Sequence, residues 1–187
     1  MSKGPSIKTT RENLVFENEF LRVYNNDVLF PSGKAGTYVR TRWAAPHGVG
    51  ALPIWNGNLL LMRNYRYSED RMSVEIPQGF GIIDSAPEDD IQRELHEEIG
   101  CKADALVPIG GTGFDYRTHL FLARMPSTFV YNAGGHETGE AFADPLIVPI
   151  TDRPEDLIEE HGIFDAITQM ALMRLSLRIR DKGLDAV

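Results

Sequence analysis

Cysteine is almost missing from this chain: Cys101 is the single one in 187 residues. One thiol cannot staple the chain to itself, which rules out a disulfide scaffold, and Cys101 is expected to pack as a small hydrophobe. Long apolar runs are missing as well. Nothing approaches the roughly 18 consecutive apolar residues of a spanning helix. The opening MSKGPSIKTTRENL has no apolar core of the signal-peptide kind. Positive charge is in deficit, with 19 Lys and Arg against 27 Asp and Glu and a net charge of −8. That balance argues against a broad nucleic-acid surface. It still permits a small phosphorylated ligand, because a metal ion and a few local arginines can invert the field inside one pocket. Internal repeats and low-complexity tracts are absent too. What remains is an expected cytoplasmic protein with no membrane or nucleic-acid partner. Its 42% apolar and 25% charged content is ordinary, and its length suits one core with a modest extension.

Against these absences stands one dense stretch, GFGIIDSAPEDDIQRELHEEIGC, from Gly79 to Cys101. Ser85-Ala86-Pro87-Glu88 has the S-x-x-E form of a capping box, with proline in the first turn. Ile91, Leu95 and Ile99 recur every fourth residue and predict a helix with one apolar face, ended by Gly100 as a left-handed cap. Beside that stripe lie Glu94, Glu97 and Glu98, which helical spacing gathers into one cluster. Like charges at this spacing, two of them at the negative end of the helix dipole, cost roughly 1–3 kcal/mol in total. A solvated acidic face is the ordinary account of such a run. A hard divalent cation is the alternative. It would reverse the sign of the cluster, contributing about 2.7 kcal/mol at a hundred times its dissociation constant.

The spacing favours the cation. Gly79, Arg93-Glu94-Leu95, Glu97-Glu98 and Gly100 follow the pattern G-x5-E-x7-R-E-U-x-E-E-x-G-U, where U is apolar, and so resemble the signature of the Nudix hydrolase family. Cys101 fills the last apolar slot. One fixed position departs: Ser85 stands where the pattern has its first glutamate, with Asp84 beside it as a possible stand-in and helix capping as the plain role for Ser85. The resemblance implies an α+β fold, a mixed β-sheet sandwiched between helices (α/β/α), with the signature loop and helix as a Mg²⁺ site that Mn²⁺ can also fill. By position, Glu94, Glu97 and Glu98 would serve the metal, Gln78 would offer its backbone carbonyl, and Arg93 would orient the glutamates.

Around the signature the chain reads as alternating elements. Residues 14–43 (LVFENEFLRVY, DVLF, GTYVRTRW) predict antiparallel strands after a loose start, Met1 to about Thr10. Asn56-Gly57 predicts a hairpin between the apolar runs 49–54 and 59–62. Short strands are expected at 73–77, 105–109, 119–123 and 145–150. Gly110-Gly111-Thr112-Gly113 is expected to be a loop. A short amphipathic helix over 153–161 and a longer one over 164–180 follow, the latter with Ile167, Met170, Ala171, Leu175 and Ile179 on its buried stripe.

The phrases LLLMRNYRY, VEIPQG, HLFLA and IFDAITQMALMRL resemble the ADP-ribose and nucleoside-diphosphate-sugar pyrophosphatase branch. That resemblance implies residues 1–46 as an N-terminal antiparallel β-segment that pairs with a second copy, giving a homodimer, and residues 47–187 as the hydrolase domain. It implies Arg66, the end of an R-x-x-R motif, as a substrate contact, the alternative being a solvated arginine at a strand end. Gly111 and Thr112 would lie on the substrate side. Glu140 would be the base, with Glu137 the other choice and His136 a possible contact. The implied reaction is metal-dependent hydrolysis of the pyrophosphate bond of ADP-ribose or a nucleotide sugar. The alternatives are hydrolysis of a nucleoside triphosphate or dinucleoside polyphosphate, or a nucleotide sensor with weak chemistry.

Overall fold

The computed structural model describes residues 6–113, 116–131 and 142–184. The chain divides into two compact units, Met1–Pro46 and His47–Val187. The first is an antiparallel sheet of β1 (Lys8–Arg11), β2 (Leu14–Glu17), β3 (Leu21–Leu29) and β4 (Ala35–Trp43). Strand β3 pairs along its whole length with β4, while β1 and β2 follow one another along its other edge. Asn13, between those two short strands, donates from its amide to Asn25 O at 3.2 Å, and its backbone N–H reaches the buried Asn26 Oδ1 at 3.1 Å. Strand β1 corrects the expectation of a loose start to Thr10. All four of its residues are exposed, so it is held by backbone pairing and one side-chain bond, Thr10 Oγ1 to Asp27 O at 3.1 Å, and leaves no apolar alternation in the sequence.

The second unit is a seven-stranded mixed sheet with a helix on each face. Its strands are β5 (Gly48–Trp55), β6 (Asn58–Arg66), β7 (Arg71–Glu75), β8 (Gln78–Phe80), β9 (Ala105–Thr112), β10 (Thr118–Arg124) and β11 (Phe142–Pro149). The order runs β11-β6-β5-β10-β9, with β7 on β6 and β8 on β5, and among the described residues only β5 and β10 pair in parallel. The hairpin turn is as expected: Asn56 and Gly57 both take positive φ, 49° and 75°, the requirement of a two-residue turn between twisted strands.

Continuous apolar runs in β5, β6 and β10 follow from burial of both faces. One face sends Val49, Ala51, Leu60, Met62, Phe121 and Ala123 towards helix α1 (Pro87–Ile99), which contributes Ile91, Leu95 and Ile99, all fully buried. The other sends Leu52, Leu59, Leu61, Leu120 and Leu122 to meet Ala171, Leu172, Leu175 and Ile179 of helix α3 (Ala166–Lys182). Each fully buried leucine contributes about 1.5–3 kcal/mol. Between β11 and α3 a 3-10 turn, Pro154–Asp156, leads into the four-residue helix α2 (Leu157–Glu160).

Three details differ from the sequence expectation. Ser85 does not cap α1: the N-cap is Ala86, no side chain caps it, and the Ser85 hydroxyl donates to Ala86 O at 3.4 Å. Proline in the first turn starts the helix instead, and Gly100 (φ 75°) ends it as expected. Gly111 and Thr112 belong to strand β9, opposite His119 and Thr118. Glycine suits this place because a Cβ at 111 would run into the Thr118 backbone carbonyl. On α3, Met170 is partly exposed and Thr168 takes the buried place, donating its N–H to the capping Asp165 carboxylate at 2.7 Å and supplying Oγ1 to the Ile76 N–H at 2.9 Å.

Candidate active site

Strand β8 and the first turns beyond it carry the backbone of the site; α1 carries its acids. Gly79 sits under Glu94 so closely that any Cβ there would enter the carboxylate. Glycine is therefore needed for close approach, since the position has no positive φ. Glu98 accepts the Gln78 N–H at 3.2 Å. Arg93 binds three ways, to Glu94 Oε1 at 2.8 Å, Glu97 Oε2 at 2.9 Å and the Phe80 carbonyl at 2.8 Å. One arginine thus ties two carboxylates of the helix to the loop that precedes it.

The electrostatics follow from burial. The Glu94 side chain is only 11% exposed. Burial raises its pKa above the usual carboxylate range, against the pull of Arg93, and the nearby Glu97 adds to the rise. Partial burial works against the charge of Arg93, but Glu94 and Glu97 outweigh it and its pKa is raised. Tyr116, edge-on to Phe80 with ring centroids 6.1 Å apart, has its phenol pushed up to about 12 by burial and then by Asp90.

These groups line one cavity of about 760 Å³, to which Gln78, Gly79, Phe80, Arg93, Glu94, Glu97, Glu98, Arg66 and Tyr116 all contribute. Another hollow, of about 500 Å³, lies beside Asn56, Asp104 and Arg124, and none of the signature side chains lines it. Arg66 grips the buried Glu75 with Nε at 2.9 and 3.0 Å from its two oxygens and with Nη2 besides. It is therefore a held group at the cavity wall, and Glu75 is a partner that spacing along the chain did not reveal. Gly111 and Thr112 are not among the lining residues. The Gly111 carbonyl accepts from Arg174 Nη2 at 2.8 Å. Glu140, Glu137 and His136 lie outside the described residues.

The donor set is all oxygen: three carboxylates and the Gln78–Gly79 backbone, on a cradle that a Cβ at 79 would fill. Hard oxygen ligands suit Mg²⁺ or Mn²⁺. Among the described residues no three acidic, histidine or cysteine side chains converge as a closed metal cage. Arg93 and the Gln78 N–H hold the carboxylates instead. An open, partly protein-made site is what Mg²⁺ takes when substrate phosphates complete its shell. Asp90 and His47, missed in the sequence, complete the surroundings: Asp90 is buried and bonds His47 Nε2 at 2.8 Å. Their one sequence signal is that Asp90, Glu94 and Glu97 form a row of acids beside the apolar stripe.

No family model matches the chain. An ADP-ribose pyrophosphatase of Bacillus subtilis (strain 168) is 30% identical over 177 residues, 91% of this chain and 93% of its own length. A methanol dehydrogenase activator of Bacillus methanolicus matches at the same identity and coverage. A solved structure described as an ADP compounds hydrolase superposes with a TM-score of 0.83, covering 98% of this chain and 100% of its own, at 20% identity. That last likeness is one of fold.

Proposed function

The chain belongs to the Nudix hydrolase family, in its ADP-ribose pyrophosphatase branch, and from that premise we propose that it hydrolyses the pyrophosphate bond of ADP-ribose or a related nucleoside diphosphate sugar. The products would be a nucleoside monophosphate and a sugar phosphate, and the reaction would depend on Mg²⁺, with Mn²⁺ able to substitute. One observation carries this reading: acids of α1, the Gly79 cradle and two arginines face one cavity large enough for a nucleotide.

Glu94, Glu97, Glu98 and the Gln78 carbonyl would hold the metal. When bound, a divalent ion neutralises diphosphate oxygens and lowers the pKa of a coordinated water. Arg93 keeps Glu94 and Glu97 aimed at one place and fastens them to the Phe80 carbonyl. Arg66, already braced by Glu75, presents fixed N–H donors of the kind that suit a phosphate or a base edge. For Gly111 and Thr112 a substrate-side role rests on the family resemblance alone, since strand β9 does not line this cavity. Glu140, or else Glu137, would take the proton from the attacking water as the bridging P–O bond breaks.

A homodimer formed through the first unit fits its exposed Leu14, Val15, Phe16, Tyr38, Val39 and Trp43, an apolar set that water solvates poorly. Light scattering coupled to gel filtration tests it, and a monomer would overturn it. No helix among the described residues is long and apolar enough to cross a membrane. A cytoplasmic address is part of this reading.

The test is a panel of nucleoside diphosphate compounds incubated with purified protein and Mg²⁺. AMP and ribose 5-phosphate should appear from ADP-ribose. Glu140→Gln should lower kcat by roughly 10²–10⁴-fold if it is the base, with Glu137→Gln near wild type. The second reading, a nucleotide sensor, draws on Ser85, which supplies no carboxylate to the site. Binding across the panel without turnover would establish the sensor in place of the enzyme.

A further inference from the structure

Asp90 is a carboxylate only 1% exposed in the first turn of α1, outside the signature positions. A charge buried so fully is costly unless paired and hydrogen-bonded. Its partners all belong to the approach to the site. His47 Nε2 lies 2.8 Å from Oδ2, and the Ile82 N–H reaches both oxygens at 3.3 Å. The two side chains are thus within hydrogen-bonding reach of each other, with the Asp90 oxygens also accepting from the loop backbone. His47 holds the loop from the other side as well: its carbonyl accepts the Gly81 N–H at 2.7 Å. A Cβ on Gly81 would collide with the imidazole, so the loop backbone lies flat against the ring. His119 meets that ring edge-on at 5.4 Å.

Two successive peptide groups, 81 and 82, are thus fastened between a residue leading into β5 and a residue of α1. They follow Gly79, which makes room for Glu94, and Phe80, whose carbonyl holds Arg93. The side chains of Ser85 and Asp84 supply no such tie: the Ser85 hydroxyl bonds the neighbouring Ala86 carbonyl while its N–H closes a local turn to Ile82 O at 3.1 Å, and Asp84 is exposed. We propose that His47 and Asp90 are positioning residues, a pair that fixes the Gly79–Ile82 loop against α1 and thereby sets the distance between the loop backbone and the acids that serve the reaction. The catalytic part of this inference rests on the function proposed above; the loop part does not.

Full-length wild type, His47→Ala, His47→Gln and Asp90→Asn are compared. Without metal, amide hydrogen exchange at Gly81 and Ile82 should be about tenfold faster in His47→Ala and Asp90→Asn, the effect of weakening one hydrogen bond. Amides of α3 should be unchanged. His47→Gln, which keeps an N–H donor at similar reach, should restore protection. With ADP-ribose, His47→Ala should lower kcat and Mn²⁺ affinity by roughly 10–100-fold, the range seen for partners of metal ligands, with KM held. Unchanged exchange at 81 and 82, or a loss spread evenly over the fold, overturns the loop claim. A loosened loop with wild-type kcat and Mn²⁺ affinity overturns the positioning role. If the wild type itself neither binds Mn²⁺ nor turns over, the proposed function fails, while the exchange data still decide the loop claim.

Discussion

Helices α1 and α3 press on opposite faces of one sheet, yet only α3 has a side-chain cap at its start and arginine and lysine in its last turn. Asp165 caps α3 through the Thr168 N–H, and Arg180 and Lys182 sit in its last turn, where the helix dipole favours cations. Helix α1 has no side-chain cap, and its final turns carry Glu97 and Glu98. It is held by burial of Ile91, Leu95 and Ile99 against the sheet. Tertiary packing can carry a helix whose last turn holds acids against its dipole. The contrast separates what α1 needs for stability, its stripe, from what it offers the cavity, its acids.

If that separation holds, the two stripes should behave alike. Leu95→Ala and Leu172→Ala should each cost about 2–5 kcal/mol in denaturant unfolding. A much smaller loss at Leu95 would mean that α1 is not held by its stripe. Next in size, Glu98→Gln should reduce kcat/KM on the order of 100-fold while the melting temperature stays near wild type. Near-normal turnover in that variant would detach the acids from the chemistry. Asp165→Ala on α3 should do the converse, costing about 0.5–2 kcal/mol of stability with turnover retained. Ser85→Ala, at the place where the sequence offered a cap for α1, should change unfolding by less than about 0.5 kcal/mol.

The smallest effect concerns pH. Burial, then His47 and Arg117, lower the His119 pKa below its ordinary value of 6.5. The unfolded chain therefore takes up this proton first as pH falls. Well above pH 6.5 both states are neutral at this site and stability is unaffected. Below it stability should decline until the folded imidazole titrates as well. His119→Asn should flatten that part of the stability–pH curve, and an unaltered slope would remove His119 from the account.

Local features were readable from spacing alone. The α1 stripe, the Gly100 cap and the Asn56-Gly57 turn each depend on neighbours within a few residues, and all three stand as read. The signature was legible for the same reason, because Arg93, Glu94, Glu97 and Glu98 share one helix. Strand β1 was not, since its pairing is a backbone matter and its side chains face water. Gly111 and Thr112 read as a loop because their glycine-rich composition resembles one, whereas close approach to Thr118 is what calls for glycine there. His47 and Asp90 lie 43 positions apart, and Arg66 turns away from open solvent to Glu75 on the neighbouring strand. No periodicity reports such pairs; the sheet has to bring them together.

Strand β5 finds its parallel partner β10 about 70 residues further along the chain. On a ribosome adding roughly 5–20 residues per second, that is a wait of several seconds with GVGALPI unpaired along one edge. The hairpin to β6 forms early and covers only its last residues. Newly made chains therefore carry a sticky half-sheet for a time, and chaperones that grip apolar strands should find this protein mid-synthesis far more often than after its release.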